Sequence, residues 1–128
     1  MQTSGRFPAV RMRRMRRDDF SRRLMREHVL TANDLLYPVF VMEGSGCTQP
    51  IPSMPGQCRY TLDKLLPVAE ECLRLRVPVM ALFPAIDPSL KTPDGREAAN
   101  PKGLVPHVVS ELKKHFPDLG VLTDVALD

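Results

Sequence analysis

Tryptophan is absent from this chain, and aromatic residues fill only 5% of its 128 positions. A core built on large rings is thereby excluded. The hydrophobic residues, 43% of the total, must pack as aliphatics. No apolar run reaches the roughly 18 residues of a membrane-spanning helix, so no membrane partner is expected. The arginine-rich start lacks the apolar stretch that follows it in a secretory signal, and none is expected here. Cysteine is scarce as well: Cys47, Cys58 and Cys72 are odd in number and show no C-x-x-C spacing. A disulfide framework and a tetrahedral zinc site are both disfavoured, and a reducing, cytoplasmic setting fits best. Each cysteine is expected to be a small buried or half-buried hydrophobe. Neither Gly-x-Gly-x-x-Gly nor a Walker sequence occurs, so nothing signals a nucleotide fold.

Charge is present but unevenly placed. The net charge is +3, yet residues 1–26 hold nine arginines (6, 11, 13, 14, 16, 17, 22, 23 and 26) against Asp18 and Asp19, a local balance of +7. Residues 27–128 hold nine basic and thirteen acidic residues, a balance of −4. Such an arm can lie on an acidic surface such as that of a sister subunit, bind nucleic acid, or stay solvated. The Arg-x-Arg-Arg-x-Arg-Arg spacing carries no base-reading motif, and Phe7 and Phe20 are its only aromatics, so nucleic acid is not the expected partner.

Thirteen prolines punctuate the rest. Asp18 or Asp19 can cap a short helix to about His28, with Phe20, Leu24 and Met25 on one side. Thr31 and Asn33 are cap or turn residues. Leu36–Met42 is a β-rich run that Pro38 marks as an edge strand or strand start. Glu43–Gly46 reads as a turn, and Ile51-Pro52-Ser53-Met54-Pro55-Gly56 as an ordered loop. Thr61 caps a helix to about Arg76 with a stripe of Leu62, Leu65, Leu66, Ala69 and Leu73. Pro67 either kinks that helix or opens its main part. Residues 77–83 form an apolar run that reads as a strand buried on both faces. Residues 87–100 are a loop, 104–115 a helix with Pro106 in its first turn, and 119–125 a strand. Strand, helix and strand make a βαβ unit, and the alternation implies an α/β fold on a parallel sheet, doubly wound or closed into a barrel.

The chain finishes Thr123-Asp124-Val125-Ala126-Leu127-Asp128, an apolar strand pattern breaking into two carboxylates. A strand that delivers acids at its C-terminal end belongs at the mouth of an α/β active site, and more protein is expected beyond it. Asp124 and Asp128 are the best candidate site residues. If extended, they lie on one face about 13 Å apart at roughly 3.3 Å per residue. The alternative is that Asp124 merely caps the strand by binding backbone amides. His28, His107 and His115 are isolated and read as surface or packing residues. Ser53 has no nearby base. The seven methionines read as core filler.

Several motifs together resemble the N-terminal part of the porphobilinogen synthase, or δ-aminolevulinic acid dehydratase, family. They are Arg11-Met12-Arg13-Arg14-Met15-Arg16-Arg17, Tyr37-Pro38-Val39-Phe40-Val41, Ile51-Pro52-Ser53-Met54-Pro55-Gly56, Ala81-Leu82-Phe83-Pro84, Asp87-Pro88-Ser89-Leu90-Lys91, Asn100-Pro101-Lys102-Gly103-Leu104, Phe116-Pro117-Asp118-Leu119 and Thr123–Asp128, in order over nearly the whole chain.

The resemblance implies a (β/α)8 TIM barrel, present here as an arm (residues 1–33) and the first β/α units (residues 34–128), two barrel strands among them. It implies a lyase that condenses two molecules of 5-aminolevulinate into porphobilinogen in heme biosynthesis. Two lysines on later strands would form Schiff bases with the substrates' keto carbons. Lys64, Lys91, Lys102, Lys113 and Lys114 match neither catalytic motif, so this chain alone is expected to be inactive. The arm would hold a homo-oligomer, octamer or hexamer, together; the bland alternative is a truncated fragment that acts only as a subunit-interaction piece. Zinc-dependent members carry cysteines at the positions of Ala126 and Asp128. The pattern here implies Mg²⁺ or a monovalent cation instead, held by Asp124 and Asp128, since hard carboxylates suit Mg²⁺ and thiolates suit zinc. A catalytic role for Asp124 follows from the same likeness. Arg76 stands where the family commonly has Gly, and Pro106 replaces a helix former.

Overall fold

The structure is a computed structural model that describes residues 5–126. The backbone divides into two compact units, one ending at Leu30 and one beginning at Thr31.

The first unit is thin. Its α-helix, α1 (Asp19–Leu24), is shorter than the helix to His28 that its sequence suggested. Asp19 pairs with Arg23 at 3.0 Å and with Arg22 at 3.6 Å, and Arg17 pairs with Asp18 at 3.1 Å. Such exposed pairs contribute little. Only Ser21 is buried in α1. Phe20, Leu24 and Met25, the expected apolar side, are all exposed. A helix with no packing surface is marginal beyond a turn or two, which explains the early stop.

The second unit opens on a tight turn, in which Thr31 Oγ1 accepts from Asn33 N–H and Asp34 Oδ2 accepts from Thr31 N–H at 2.7 Å. It then forms a five-stranded sheet with order β2-β3-β1-β4-β5. The strands are β1 (Leu36–Met42), β2 (Thr48–Pro50), β3 (Cys58–Tyr60), β4 (Val79–Ala85) and β5 (Gly120–Thr123). Helix α2 (Leu62–Arg74) joins β3 to β4, and α3 (Leu104–His115) joins β4 to β5. β1, β3, β4 and β5 run parallel, and only β2 is antiparallel to its neighbour. A parallel-dominated α/β unit is thus what the alternation required.

Several details differ from expectation. β1 is not an edge strand: it pairs with β4 along its full length and with β3 at Phe40 and Val41. Pro38 falls in the stretch that β3 does not flank, so no ladder is broken on that side. β2 and β3 lie between and after the expected turn and loop, on residues for which the sequence predicted no element, because three-residue strands carry no periodicity to read. Strand β4 lies two residues later than expected and β5 ends at Thr123, leaving Asp124 just beyond it. Pro67 lies inside a continuous α2. β4 is buried at Met80, Ala81 and Leu82, but Phe83 is 37% exposed.

The core lies between the sheet and its two helices. Val39 and Val41 of β1 and Met80 and Leu82 of β4 meet Leu65, Ala69 and Cys72 of α2 and Leu104, Val108 and Leu112 of α3, with Leu119 closing the end. Each fully buried aliphatic side chain contributes about 1.5–3 kcal/mol. Cys72 is buried as expected, and burial pushes its thiol pKa up. Cys58 is half-buried, whereas Cys47 is exposed against expectation, because it sits on the edge next to β2. Among the described methionines only Met80 is buried, so the core-filler reading fails for Met12, Met15, Met25 and Met54, which are exposed. The three histidines are exposed, as expected of surface residues.

Two local devices hold α2. At its start Thr61 Oγ1 accepts from Cys47 N–H at 3.0 Å and lies 2.7 Å from Asp63 Oδ1. Asp63 in turn accepts from Gly46 N–H at 2.9 and 3.0 Å. The hydrogen bonds from Thr61 and then from Gly46 hold the Asp63 carboxyl below its ordinary value. At its end Val77 N–H donates to Cys72 O at 2.9 Å and Arg76 N–H to Leu73 O at 3.0 Å, the paired bonds of a Schellman motif. Arg76 occupies the left-handed position with φ 61°. That position favours glycine, since a side chain there costs about 1 kcal/mol.

Two outcomes are expected. Arg76→Gly raises stability by about 0.5–1 kcal/mol, read as a higher denaturant midpoint at unchanged slope; an unchanged or lower midpoint would show that the Arg76 side chain contributes more than its backbone strain costs. For Asp63 the folded pKa is depressed, so its contribution is complete above the unfolded carboxyl range and is lost as pH falls through the folded value. Midpoints of wild type and Asp63→Asn should therefore differ at neutral pH and converge in strong acid, below the ordinary carboxylate range. A difference that stays constant with pH would contradict the tether.

Candidate functional site

Alternation along the parallel strands gives the sheet two unlike faces. Val39, Val41, Met80 and Leu82 face the helices. The opposite face carries Leu36, Pro38 and Phe40 from β1, Ala81 and Phe83 from β4, and Leu122 from β5, with Pro38, Ala81 and Leu122 in one register row. Among the described residues of this unit, no helix covers it. Leu36 and Leu122 are each 45% exposed. The rings of Phe40 and Phe83 lie 5.9 Å apart at an interplanar tilt of 42°. Beside them, along the stretch of β1 that β3 leaves unpaired, runs a groove of about 360 Å³ lined by Tyr37, Pro38, Phe40, Met54, Gln57 and Phe83. Tyr60 stands behind the sheet among the residues packed on the core, and burial raises its phenol pKa.

Parallel strands present their C-terminal ends together, and that edge is where α/β sheets place chemistry. Here the edge consists of Met42, Ala85 and Thr123 with the loops that follow them. The loop of residues 86–103 is bound to itself. Asp87 accepts from Ser89 N–H at 2.8 Å, and that bond depresses its carboxyl pKa. Asp94 pairs with Arg96 at 2.6 Å. Asn100 Nδ2 donates to both Glu97 oxygens at 3.2 Å. Gly103, which precedes α3, leaves no space for a Cβ, since one would lie 2.9 Å from Glu97 Oε1 and 3.2 Å from Asn100 O. These bonds fix the start of α3 without a capping side chain.

Asp124 follows β5 directly and is exposed. Its Oδ1 accepts from the N–H of Val125 at 2.8 Å, the amide-binding geometry of a carboxylate that caps its strand. Ala126 offers no donor atom. Asp128 lies outside the described residues. Among the described residues no three His, Cys, Asp or Glu side chains come together as a metal-binding group. The five lysines are all exposed. Lys113 is structural, since its ammonium donates to Pro117 O and Leu119 O and ties the end of α3 to β5.

The N-terminal unit has its own cleft, of about 500 Å³, lined by Phe7, Val10, Met12 and the arginines 11, 13 and 16. Arg11 lies over the Phe7 ring, 5.6 Å from its centroid. Among the described residues of this unit, nine large apolar side chains are exposed, Phe7, Met12, Leu24 and Leu30 each by more than three quarters.

The sequence reading missed the Phe40–Phe83 pair and the groove beside it. Their signal was the period of two in Leu36–Met42, where both alternating sets are apolar and both faces therefore need cover.

Residues 9–128 match the family model described as Delta-aminolevulinic acid dehydratase. A delta-aminolevulinic acid dehydratase of Bradyrhizobium diazoefficiens is 47% identical over 120 residues, covering 94% of this chain and 34% of the relative. That of Synechocystis is 38% identical over 121 residues, covering 94% and 36%. The crystal structure of delta-aminolevulinic acid dehydratase from Toxoplasma gondii, in complex with the reaction product porphobilinogen, superposes with a TM-score of 0.85 at 39% identity, over 92% of this chain and 33% of that one. The chain spans about a third of the length of the relatives it matches.

Proposed function

This chain belongs to the delta-aminolevulinic acid dehydratase family, and on that footing we propose that it is the N-terminal third of a porphobilinogen synthase. The supporting observation is the family match over residues 9–128, which includes the Thr123–Ala126 segment leading out of β5. The enzyme would condense two molecules of 5-aminolevulinate into porphobilinogen, with loss of water, on a pair of Schiff-base lysines contributed by polypeptide beyond this segment. The exposed lysines of this segment suit none of that covalent chemistry, because a nucleophilic lysine needs a pocket that keeps it partly deprotonated.

β1, β4 and β5 would be the first three strands of a (β/α)8 barrel, one more than the two read from the sequence. Their open apolar face would become the barrel interior and their C-terminal edge the mouth of the active site. Asp124 would stand at that mouth, holding the charge of a substrate amine or of a hard cation. Ala126 supplies no thiolate where a soft metal would need one, so Asp124 and Asp128 favour Mg²⁺ or a monovalent ion over catalytic zinc. Such an ion would supply charge at the site; what the protein supplies is the fixed position of the carboxylates. A cytoplasmic setting accords with three free thiols.

The N-terminal unit would be the subunit-contact arm of a homo-oligomer. Its exposed apolar side chains and local charge of +7 suit burial against the acidic remainder of another copy.

The full-length protein, supplied with 5-aminolevulinate and Mg²⁺, is expected to form porphobilinogen. Asp124→Asn should lower kcat/KM by about a hundredfold or more. Activity lost to EDTA should return with Mg²⁺, while a zinc-selective chelator leaves it intact. No product from the wild-type protein, or restoration by Zn²⁺ alone, would contradict the proposal. Separately, removal of residues 1–30 should reduce the sedimenting species to a smaller assembly; an unchanged assembly would rule out the arm as the contact.

A further inference from the structure

The arginines of the N-terminal unit fall into two sets. Arg17 pairs with Asp18 at 3.1 Å, and Arg22 and Arg23 share Asp19 at 3.6 and 3.0 Å. Arg11, Arg13 and Arg16 have no carboxylate within ion-pair distance among the described residues. These three line one cleft of about 500 Å³ with Phe7, Val10 and Met12. Asp18 and Asp19 are thus engaged by arginines outside the cleft, and the arginines inside it are left without a counter-ion.

Local bonds hold the cleft in shape. Val10 N–H donates to Arg6 O at 3.0 Å, and Arg16 N–H donates to Arg13 O at 2.9 Å, which closes two tight turns. The Arg22 guanidinium donates to Arg16 O at 3.1 Å and to Arg17 O at 3.0 Å, and so fixes the second turn from outside. Arg11 is held over the Phe7 ring, 5.6 Å from its centroid, by a cation–π contact. Three cations gathered in this way repel one another, and their summed potential draws anions in. A single carboxylate would satisfy one planar guanidinium fork and leave two unmatched. An oxyanion of the phosphate type carries more charge and more acceptor oxygens, enough to engage several forks at once. The volume is that of a small-molecule site. A single-stranded nucleic acid fits less well, because it needs free aromatic faces to stack its bases. The Phe7 face is covered by Arg11, and Phe20 does not line the cleft.

We infer that the cleft of Arg11, Arg13 and Arg16 is a binding site for a small multivalent oxyanion of the phosphate type. The site lies outside the barrel unit and is independent of the proposed reaction.

The test is calorimetric titration of the full-length protein, at one low ionic strength, with pyrophosphate, glycerol 3-phosphate and acetate. Pyrophosphate should bind, acetate should bind at least about tenfold more weakly, and the phosphomonoester should fall between them if charge sets the order. A phosphomonoester that binds more tightly than pyrophosphate also supports the site, and it identifies the source as an organic phosphate held against Phe7, Val10 and Met12. The double variant Arg13→Gln with Arg16→Gln should raise the Kd for pyrophosphate about tenfold or more. The corresponding double Lys variant should recover part of the loss, since it keeps the charge without the fork. Arg23→Gln removes one charge outside the cleft and should change the Kd by less than about threefold. A wild type that binds no pyrophosphate, equal affinity for pyrophosphate and acetate, or equal losses in the cleft and Arg23 variants would overturn the assignment. So would a loss of binding that comes with a changed sedimenting species, because the arginines would then belong to the subunit contact. Porphobilinogen formation does not enter the comparison, so failure of the proposed reaction and failure of this site are read separately.

Discussion

Seven consecutive residue pairs join β1 to β4, from Leu36 with Val79 to Met42 with Ala85, and the rest of the second unit is arranged around that ladder. Its register decides which side chains share a face. Val39 and Val41 stand with Met80 and Leu82 over the helices, and Phe40 stands with Phe83 on the other side. Because side chains alternate with period two, a slip of β1 by one residue against β4 would set Phe40 beside Leu82 on the helix face and turn Val39 away from it. The helices favour the observed register, in which Val39, Val41, Met80 and Leu82 pack on Leu65, Ala69 and Cys72 and on Leu104, Val108 and Leu112. β5 then adds to β4 through a close approach at Gly120, whose N–H donates to Pro78 O at 2.9 Å and whose missing Cβ would lie 3.0 Å from that same oxygen.

Which parts of this were legible in the sequence follows from the range of the interactions responsible. The stripes of α2 and α3 are local patterns and were readable, as was the apolar run around Met80. The centrality of β1 was not. Pro38 argued for an edge or a strand start, and the outer side of β1 is indeed unpaired at Pro38; the proline could not show that β3 joins β1 farther along, at Phe40 and Val41. β2 and β3 were invisible because each is a three-residue strand held by its partner and not by its own propensity. The early end of α1 and the exposure of Phe20 and Leu24 were illegible for the opposite reason: the local pattern promised a packing surface that the described part of the first unit does not contain. Arg76 was noted only as a departure from a family glycine, and the left-handed backbone at that residue supplies the physical meaning of the departure.

The candidate site divides in the same way. Asp124 was legible because a strand that ends in an acid is a feature of contiguous residues, although its hydrogen bond to Val125 N–H is a purely local one. Asp128 falls outside the described residues. The pairing of Phe40 with Phe83 was not legible at all, because the two residues come from separate strands and are brought together by a register that packing fixes and spacing along the chain does not.

The open face also constrains what the segment can be. Leu36, Pro38, Phe40, Phe83 and Leu122 form a continuous apolar surface, and contiguous surfaces of this kind are not normally left in water. Among the described residues, the lower half of β1, from Leu36 to Val39, has no partner on its outer side, and neither does β5, so unpaired backbone groups stand at both margins of the same face. One structural change meets all three demands. Further parallel strands added at β5, curving with the natural twist of the sheet until the last reaches β1, would pair both margins and enclose the apolar face. The chain spans about a third of the length of the relatives it matches.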